Sequence, residues 1–155
     1  MQARFNWTKE EYRGAFQAMH GLEQFVRGSG LDKKLIELIK IRCSQINGCA
    51  YCLDMHTKDA RAAGETEQRI YALSAWRETP FYTDRERAAL EWAECMTLIS
   101  ERGIPEGVYH FVQAEFTEEE ILKLSMAVVA INGWNRLAIA SKTEPGGYQP
   151  QSTAA

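Results

Sequence analysis

Four side chains between Glu37 and His56, in the stretch ELIKIRCSQINGCAYCLDMH, have the makings of a redox site. Cys49 and Cys52 form a C-x-x-C pair, and His56 follows Cys52 by four residues. At about 100° of rotation per helical residue, Cys49, Cys52 and His56 project from one face, which then carries two thiols and a base. Asn47 and Gly48 immediately precede the first cysteine, so the preceding apolar segment stops there and a new helix opens at or near Cys49. The thiols then lie in its first turn, where free N–H groups and the positive end of the helix dipole favour an anion and lower a thiol's pKa. Glu37 stands twelve residues before Cys49, near enough for a helix hairpin to fold it back over the pair as a proton-transfer group. Its competing reading is a solvated carboxylate on the outer strip of the apolar run LIELIKI. For His56 the competing reading is a hydrogen-bonded core histidine.

The elements that must position these groups read as helices throughout. Thr8 with Glu11 forms a capping box ahead of Tyr12, Ala15, Phe16, Met19, Leu22 and Val26, a first helix ending at Gly28-Ser29-Gly30. Asp32 caps a second helix whose apolar residues, from Leu35 to Ile46, occupy more than one stripe, so it should be buried in the core. The third runs from about Cys49 to Ala63, with Gly64 as its left-handed terminating residue. Thr66 caps a short fourth helix that Pro80 ends. Thr83 and Glu86 cap a long fifth that stops near Gly103, and Pro105 suits the first turn of a sixth. Thr117 and Glu120 open a seventh, which Asn132-Gly133 interrupts before a helical pattern resumes over Trp134 to Ala140. That break would make Trp134, Asn135 and Arg136 either a capping and packing corner or a set of groups near the site or a subunit contact. No segment alternates like a strand, so the fold class is all-α, with about seven to eight helices and the C-x-x-C at the N-terminus of the third.

Bulk composition narrows the function classes. A chain of 155 residues with 45% hydrophobic side chains fits one globular domain, residues 1–142, followed by a tail over 143–155 expected to be mobile unless a neighbouring subunit holds it. The net charge of -3, with acids and bases interspersed, argues against nucleic acid as a partner. The start of the chain lacks the apolar core of a signal peptide and no apolar run approaches the roughly 18 residues of a membrane span, so the expectation is a cytoplasmic protein with no membrane association. Four cysteines are too few for a secreted disulfide scaffold, and a cytosolic C-x-x-C points to redox chemistry or metal binding. Cys43 and Cys95 read as buried small hydrophobes, and Met19, Met55, Met96 and Met126 as core filler. His20 and His110 read as surface or packing positions.

The pattern E-x11-C-x2-C-x3-H, here Glu37, Cys49, Cys52 and His56, resembles the alkyl hydroperoxidase D (AhpD-like) group of the carboxymuconolactone decarboxylase superfamily. ARAAGETEQRI, FYTDRERAALEW and INGWNRLAIA resemble it too, so the likeness covers roughly residues 5 to 145. It implies an all-helical thiol peroxidase needing no metal and no organic cofactor. In that pattern Cys52 attacks a hydroperoxide, Cys49 resolves the sulfenic acid to a disulfide, His56 takes the thiol proton and Glu37 orients the imidazole. A separate thiol or dithiol reductant would return the pair to thiols. The likeness also implies a homo-oligomer, a trimer or hexamer, and the aromatic content, with Trp7, Trp76, Trp92 and Trp134, is compatible with interfaces. One departure stands out: some members carry a histidine between the cysteines, where this chain has Ala50 and Tyr51. Tyr51 either supplies a hydroxyl in its place or is a packed aromatic.

Two other readings make different predictions. A structural zinc site from Cys43, Cys49, Cys52 and His56 would complete a tetrahedral shell and block the thiols. A lactone decarboxylase or other non-redox enzyme would leave the thiol pair incidental.

Overall fold

The computed structural model describes residues 2–150. Among these the chain forms eight α-helices and no strand: α1 (Arg13–Arg27), α2 (Lys33–Asn47), α3 (Ala50–Ala62), α4 (Glu67–Ala72), α5 (Asp84–Thr97), α6 (Ile99–Arg102), α7 (Glu106–Glu115) and α8 (Glu118–Ser141). Short 3₁₀ segments at Glu10–Tyr12 and Leu73–Glu78 precede α1 and follow α4.

Helix α2 is the centre, packing against α3, α5 and α8. Its two apolar stripes serve two cores. Leu35, Ile36, Ile39 and Cys43 join residues of α5, α7 and α8, whereas Leu38 and Ile41 face Ala60, Ile70, Leu73, Trp76, Tyr82 and Leu90. Leu38, Ile39 and Ile41 are fully buried, and burial on this scale stabilises by roughly 1.5–3 kcal/mol per side chain. The expectation of a core helix therefore holds. So do the caps: Asp32 accepts from the Leu35 N–H, and Thr83/Glu86 and Thr117/Glu120 both close as capping boxes.

The helix count agrees with the expectation, but three local readings do not. The Thr8–Glu11 box is absent, because the Asn6 carboxamide accepts from both the Thr8 amide (2.9 Å) and its hydroxyl (2.6 Å), and the 3₁₀ turn starts after Lys9 with no side-chain cap. The long fifth helix breaks at Leu98 (φ -102°, ψ 34°) into α5 and α6. On a straight helix Arg102 would lie about 12 Å beyond Glu94; after the bend its guanidinium reaches Glu94 at 3.3 Å and Glu91 at 3.0 Å. Conversely, Asn132-Gly133 does not interrupt α8. The Asn132 amide donates to the Val128 carbonyl and the Thr97 hydroxyl, both at 3.0 Å. Gly133 gives up a side chain that the tip of Met19 replaces, since a Cβ there would sit 2.7 Å from the Met19 methyl. Tertiary contacts thus carry a helix through a dipeptide that would turn the chain in isolation.

The charges that enter the interior arrive paired. Lys40 is 2% exposed and meets the Glu23 carboxylate at 2.5 Å. Glu94 accepts from Arg42 (2.7 Å) and the Trp76 indole (2.8 Å) and also pairs with Arg77 and Arg102. Burial raises both carboxyls, but these partners outweigh it and hold them below the ordinary range.

Candidate active site

Gly48 places the site. It ends α2 in the left-handed conformation (φ 68°, ψ 33°), which glycine adopts without a Cβ clash, while the Cys49 N–H closes back on the Ser44 carbonyl at 3.0 Å. The chain reverses and α3 opens with Cys49 as its N-cap residue. Cys52 is therefore in the first turn, as its spacing requires. Both cysteines are 1% exposed, and their sulfurs lie 2.8 Å apart.

The two thiols are not equivalent. Cys49 is lowered to about 7: the Cys52 thiol donates to it, and the N–H groups of Cys52 and Tyr51 and the Asn135 amide add to that against the cost of burial. Cys52 is pushed up, first because its proton is shared with Cys49 and then by burial. Once the pair has lost one proton, the charge belongs to Cys49 and the remaining proton to Cys52.

One turn further on, His56 is buried and its Nδ1 lies 2.8 Å from a Glu37 carboxylate oxygen. The hairpin does fold Glu37 back, although 19 residues separate it from His56. With a carboxylate as acceptor, Nδ1 is the donor, which in the neutral ring leaves the lone pair on Nε2, the form of imidazole that receives a proton. Among the described residues no hydrogen bond joins the imidazole to either sulfur. A proton passing between them needs a bridging water or a substrate oxygen.

Asn135 was legible only as part of a corner. It lies within the continuous α8, fully buried, donating to the Ser44 hydroxyl at 3.0 Å and accepting from Asn47 at 2.8 Å while its amide favours the thiolate on both sulfurs. Two further residues were missed. Asp59 sits one helical turn beyond His56, a spacing visible in the sequence, and its carboxylate, the imidazole and Glu37 have ligand-type atoms all within 4.8 Å of one another. Tyr148 reaches Asp59 from the other end of the chain, with its hydroxyl 2.7 Å from the carboxylate, and nothing in the sequence signals that contact.

The remaining candidates fall elsewhere. Cys43 is fully buried, receives the Thr97 hydroxyl at 3.2 Å, and is pushed up to about 12 by burial. It does not join Cys49, Cys52 and His56 in a ligand cluster, so the tetrahedral shell that the zinc reading needs is not assembled among the described residues. Burial also raises Cys95. Tyr51 packs against the main core, and burial first, then the neighbouring thiols and Asp54, hold its phenol in the protonated form. His20 and His110 are exposed. Trp76 and Trp92 are consumed by the chain's own cores, whereas Trp7 stacks on Phe16 and Trp134 packs tilted against both at the junction of α1 and α8. An open groove of about 830 Å³ runs beside α3, lined by Leu53, Asp54, Thr57, Lys58 and Pro150 among others, but by none of the four site residues. No helix among the described residues is long and apolar enough to cross a membrane.

Residues 10–94, over half of the chain and including the whole Glu37–His56 stretch, match the family model of the carboxymuconolactone decarboxylase family. The chain belongs to that family. This family member is 49% identical over 122 residues to YdfG, an uncharacterised Bacillus subtilis protein, across 79% of its own length and 83% of that protein's. It also resembles a solved structure from Agrobacterium tumefaciens, a protein of unknown function described as a candidate antioxidant defence protein AhpD. There the TM-score is 0.91 and the identity 43%, over 95% of this chain and all of the other. A shorter match, 40% over 48 residues, covers 31% of this carboxymuconolactone decarboxylase family chain and 27% of the alkyl hydroperoxide reductase AhpD of Nocardia farcinica. The resemblance read from the motif is thereby established at the level of family and fold.

Proposed function

We propose that the chain is a thiol-dependent peroxidase that reduces hydroperoxides through Cys49 and Cys52. The observation that carries this reading is the pair of sulfurs 2.8 Å apart at the start of α3, one turn from a buried imidazole held by Glu37. Cys52 sheds its proton through a bridging water to His56, and its thiolate attacks the terminal peroxide oxygen. The O–O bond breaks, Cys52 becomes a sulfenic acid, and the alkoxide leaves as the alcohol with the proton returned from His56. Cys49, the thiol of lower pKa, then attacks the Cys52 sulfur as its thiolate, and hydroxide leaves as water with one proton from solution. The net change is one hydroperoxide and two thiol equivalents to one alcohol, one water and one disulfide. Both sulfurs are 1% exposed, so the reacting oxygen enters through a local opening of their cover.

The same proposal includes a small-molecule hydroperoxide as substrate, an external thiol or dithiol as reductant, a cytoplasmic location and a trimer or hexamer. The exposed Leu122 and Val129, seven residues apart on α8, support an interface between copies.

The test is a free-thiol count before and after one equivalent of cumene hydroperoxide. Wild type is expected to lose two thiols, Cys52→Ser to consume no peroxide, and Cys49→Ser to accumulate a dimedone-reactive sulfenic acid on Cys52. Sulfenic acid forming on Cys49 at the wild-type rate in Cys52→Ser would exchange the two roles. Unreactive thiols would refute the peroxidase, and lactone turnover surviving the loss of both cysteines would point to the non-redox chemistry of the family name.

A further inference from the structure

Resting on the peroxidase reading, we propose that Tyr148 is a positioning residue of the site: its hydroxyl occupies the Asp59 carboxylate and so leaves Glu37 as the sole acidic partner of His56. Tyr148 lies 89 residues beyond Asp59, on a segment whose composition announces no structure.

After α8 the chain does not leave the domain. Thr143 is held by its amide to the Ala138 carbonyl (3.0 Å) and by its hydroxyl to the Trp7 indole (3.2 Å). Gly146 then takes a positive φ of 104°, a conformation that a residue with a Cβ rarely adopts. Its N–H binds the Asp54 carboxylate at 2.9 Å. Lys58 ties the next stretch down through the Tyr148 carbonyl at 3.0 Å. Asp54, Lys58 and Asp59 all belong to α3, so the segment is fastened along the helix that carries Cys52 and His56. These backbone contacts set the Tyr148 ring in register with Asp59, whose carboxylate the hydroxyl meets at 2.7 Å.

The chemical consequence follows from the crowding of acids around one base. Glu37 from α2, and His56 and Asp59 from α3, bring their reactive atoms within 4.8 Å of one another. Two carboxylates so close compete for one imidazole N–H and repel each other. If Asp59 took the imidazole, the ring would turn away from the orientation that Glu37 imposes, and Nε2 would no longer be presented in a fixed direction. A phenol bound to Asp59 removes the competitor without adding a charge. Burial and then the bond to Asp59 hold the Tyr148 proton on the phenol, with Arg27 of α1 opposing and Glu37 adding to that effect. The groups facing the phenol are thus Asp59, Arg27 and Glu37, and it stays a donor across the neutral range.

The experiment compares wild type with Tyr148→Phe, alone and in an Asp59→Asn background, by two readouts. The first is the imidazole nitrogen spectrum of uniformly ¹⁵N-histidine-labelled, reduced protein without substrate, with the exposed His20 and His110 as internal references. Wild type is expected to show His56 as one tautomer with a hydrogen-bonded Nδ1–H, and Tyr148→Phe to lose that single form while His20 and His110 stay put. The second is hydroperoxide-dependent thiol loss. There Tyr148→Phe is expected to lower the saturated rate about 10-fold, the scale of one hydrogen bond to a charged group, with KM nearly constant. In the Asp59→Asn background, where no second carboxylate competes, the same change is expected to cost less than about two-fold, as coupled residues should behave. An unchanged His56 spectrum in Tyr148→Phe overturns the inference, and so does an equal loss of rate in both backgrounds, which is what mere structural support would give. If wild type itself consumes no hydroperoxide, the peroxidase reading fails while the spectra still decide whether Tyr148 positions His56.

Discussion

The Cys49 thiol is depressed from an ordinary 9.0 to about 7, and the largest cause is the Cys52 thiol donating across 2.8 Å. Replacing Cys52 with alanine removes that donor and leaves burial, which works in the opposite direction, against only the smaller effects of the N–H groups of residues 51 and 52 and the Asn135 amide. Two pKa units correspond to about 3 kcal/mol of lost preference for the thiolate. At pH 7 about half of Cys49 is thiolate in wild type, and about one molecule in a hundred would be at a pKa near 9. Alkylation by iodoacetamide at pH 7 should therefore slow by roughly 10- to 50-fold in Cys52→Ala, because the thiolate is the nucleophile. Cys52→Ser keeps an O–H donor and should slow far less. The assay is thiolate absorbance at 240 nm against pH, with the alkylation rate on the same samples. Cys43 and Cys95, both raised by burial, should stay silent through neutrality. A Cys52→Ala midpoint still near 7 would refute the donor argument. Survival of the neutral titration in Cys49→Ala would show that the charge rests on another group.

Asn135→Ala should destabilise the fold by about 1–3 kcal/mol in urea unfolding, since it strands the buried Ser44 hydroxyl and removes one of the two acceptors of the Asn47 amide, and should raise the Cys49 midpoint measured at 240 nm by withdrawing an amide donor. Glu94→Gln should cost about 3 kcal/mol at pH 7, because Arg42 would keep its charge without a counter-charge. The pH dependence has a fixed sign. Glu94 and Glu23 have folded pKa values below the ordinary 4.5, so their contribution is present above about pH 4.5 and is lost as the pH falls through their folded values. Wild-type stability, followed by denaturant midpoint, should drop below pH 4.5, and Glu94→Gln should show a shallower drop.

Much of this protein is determined locally and is visible in its sequence. The caps at Asp32, Thr83 and Thr117 work because a side-chain oxygen meets an N–H three residues on, within one short segment. Gly48 turns the chain because only a residue without a Cβ takes that conformation cheaply, and the spacing from Cys49 to His56 then puts the thiols in the first turn of α3 and the base one turn later. The two stripes of α2 announce a helix covered on both sides. Tertiary structure decided what depends on partners far away in the chain. Asn132-Gly133 stays helical because Thr97 and Met19 supply contacts that no local rule contains. Arg102 returns to Glu94 only because the helix breaks at Leu98. The ease with which the thiol pair ionises depends partly on Asn135, 86 residues beyond Cys49 and brought beside it by the packing of α8 on α2 and α3. Tyr148 meets Asp59 across 89 residues of chain, through a segment with no periodic pattern to read. Hydrogen bonding and electrostatics act over a few ångströms in space, whereas a sequence pattern reports only the neighbours that the chain's own geometry guarantees.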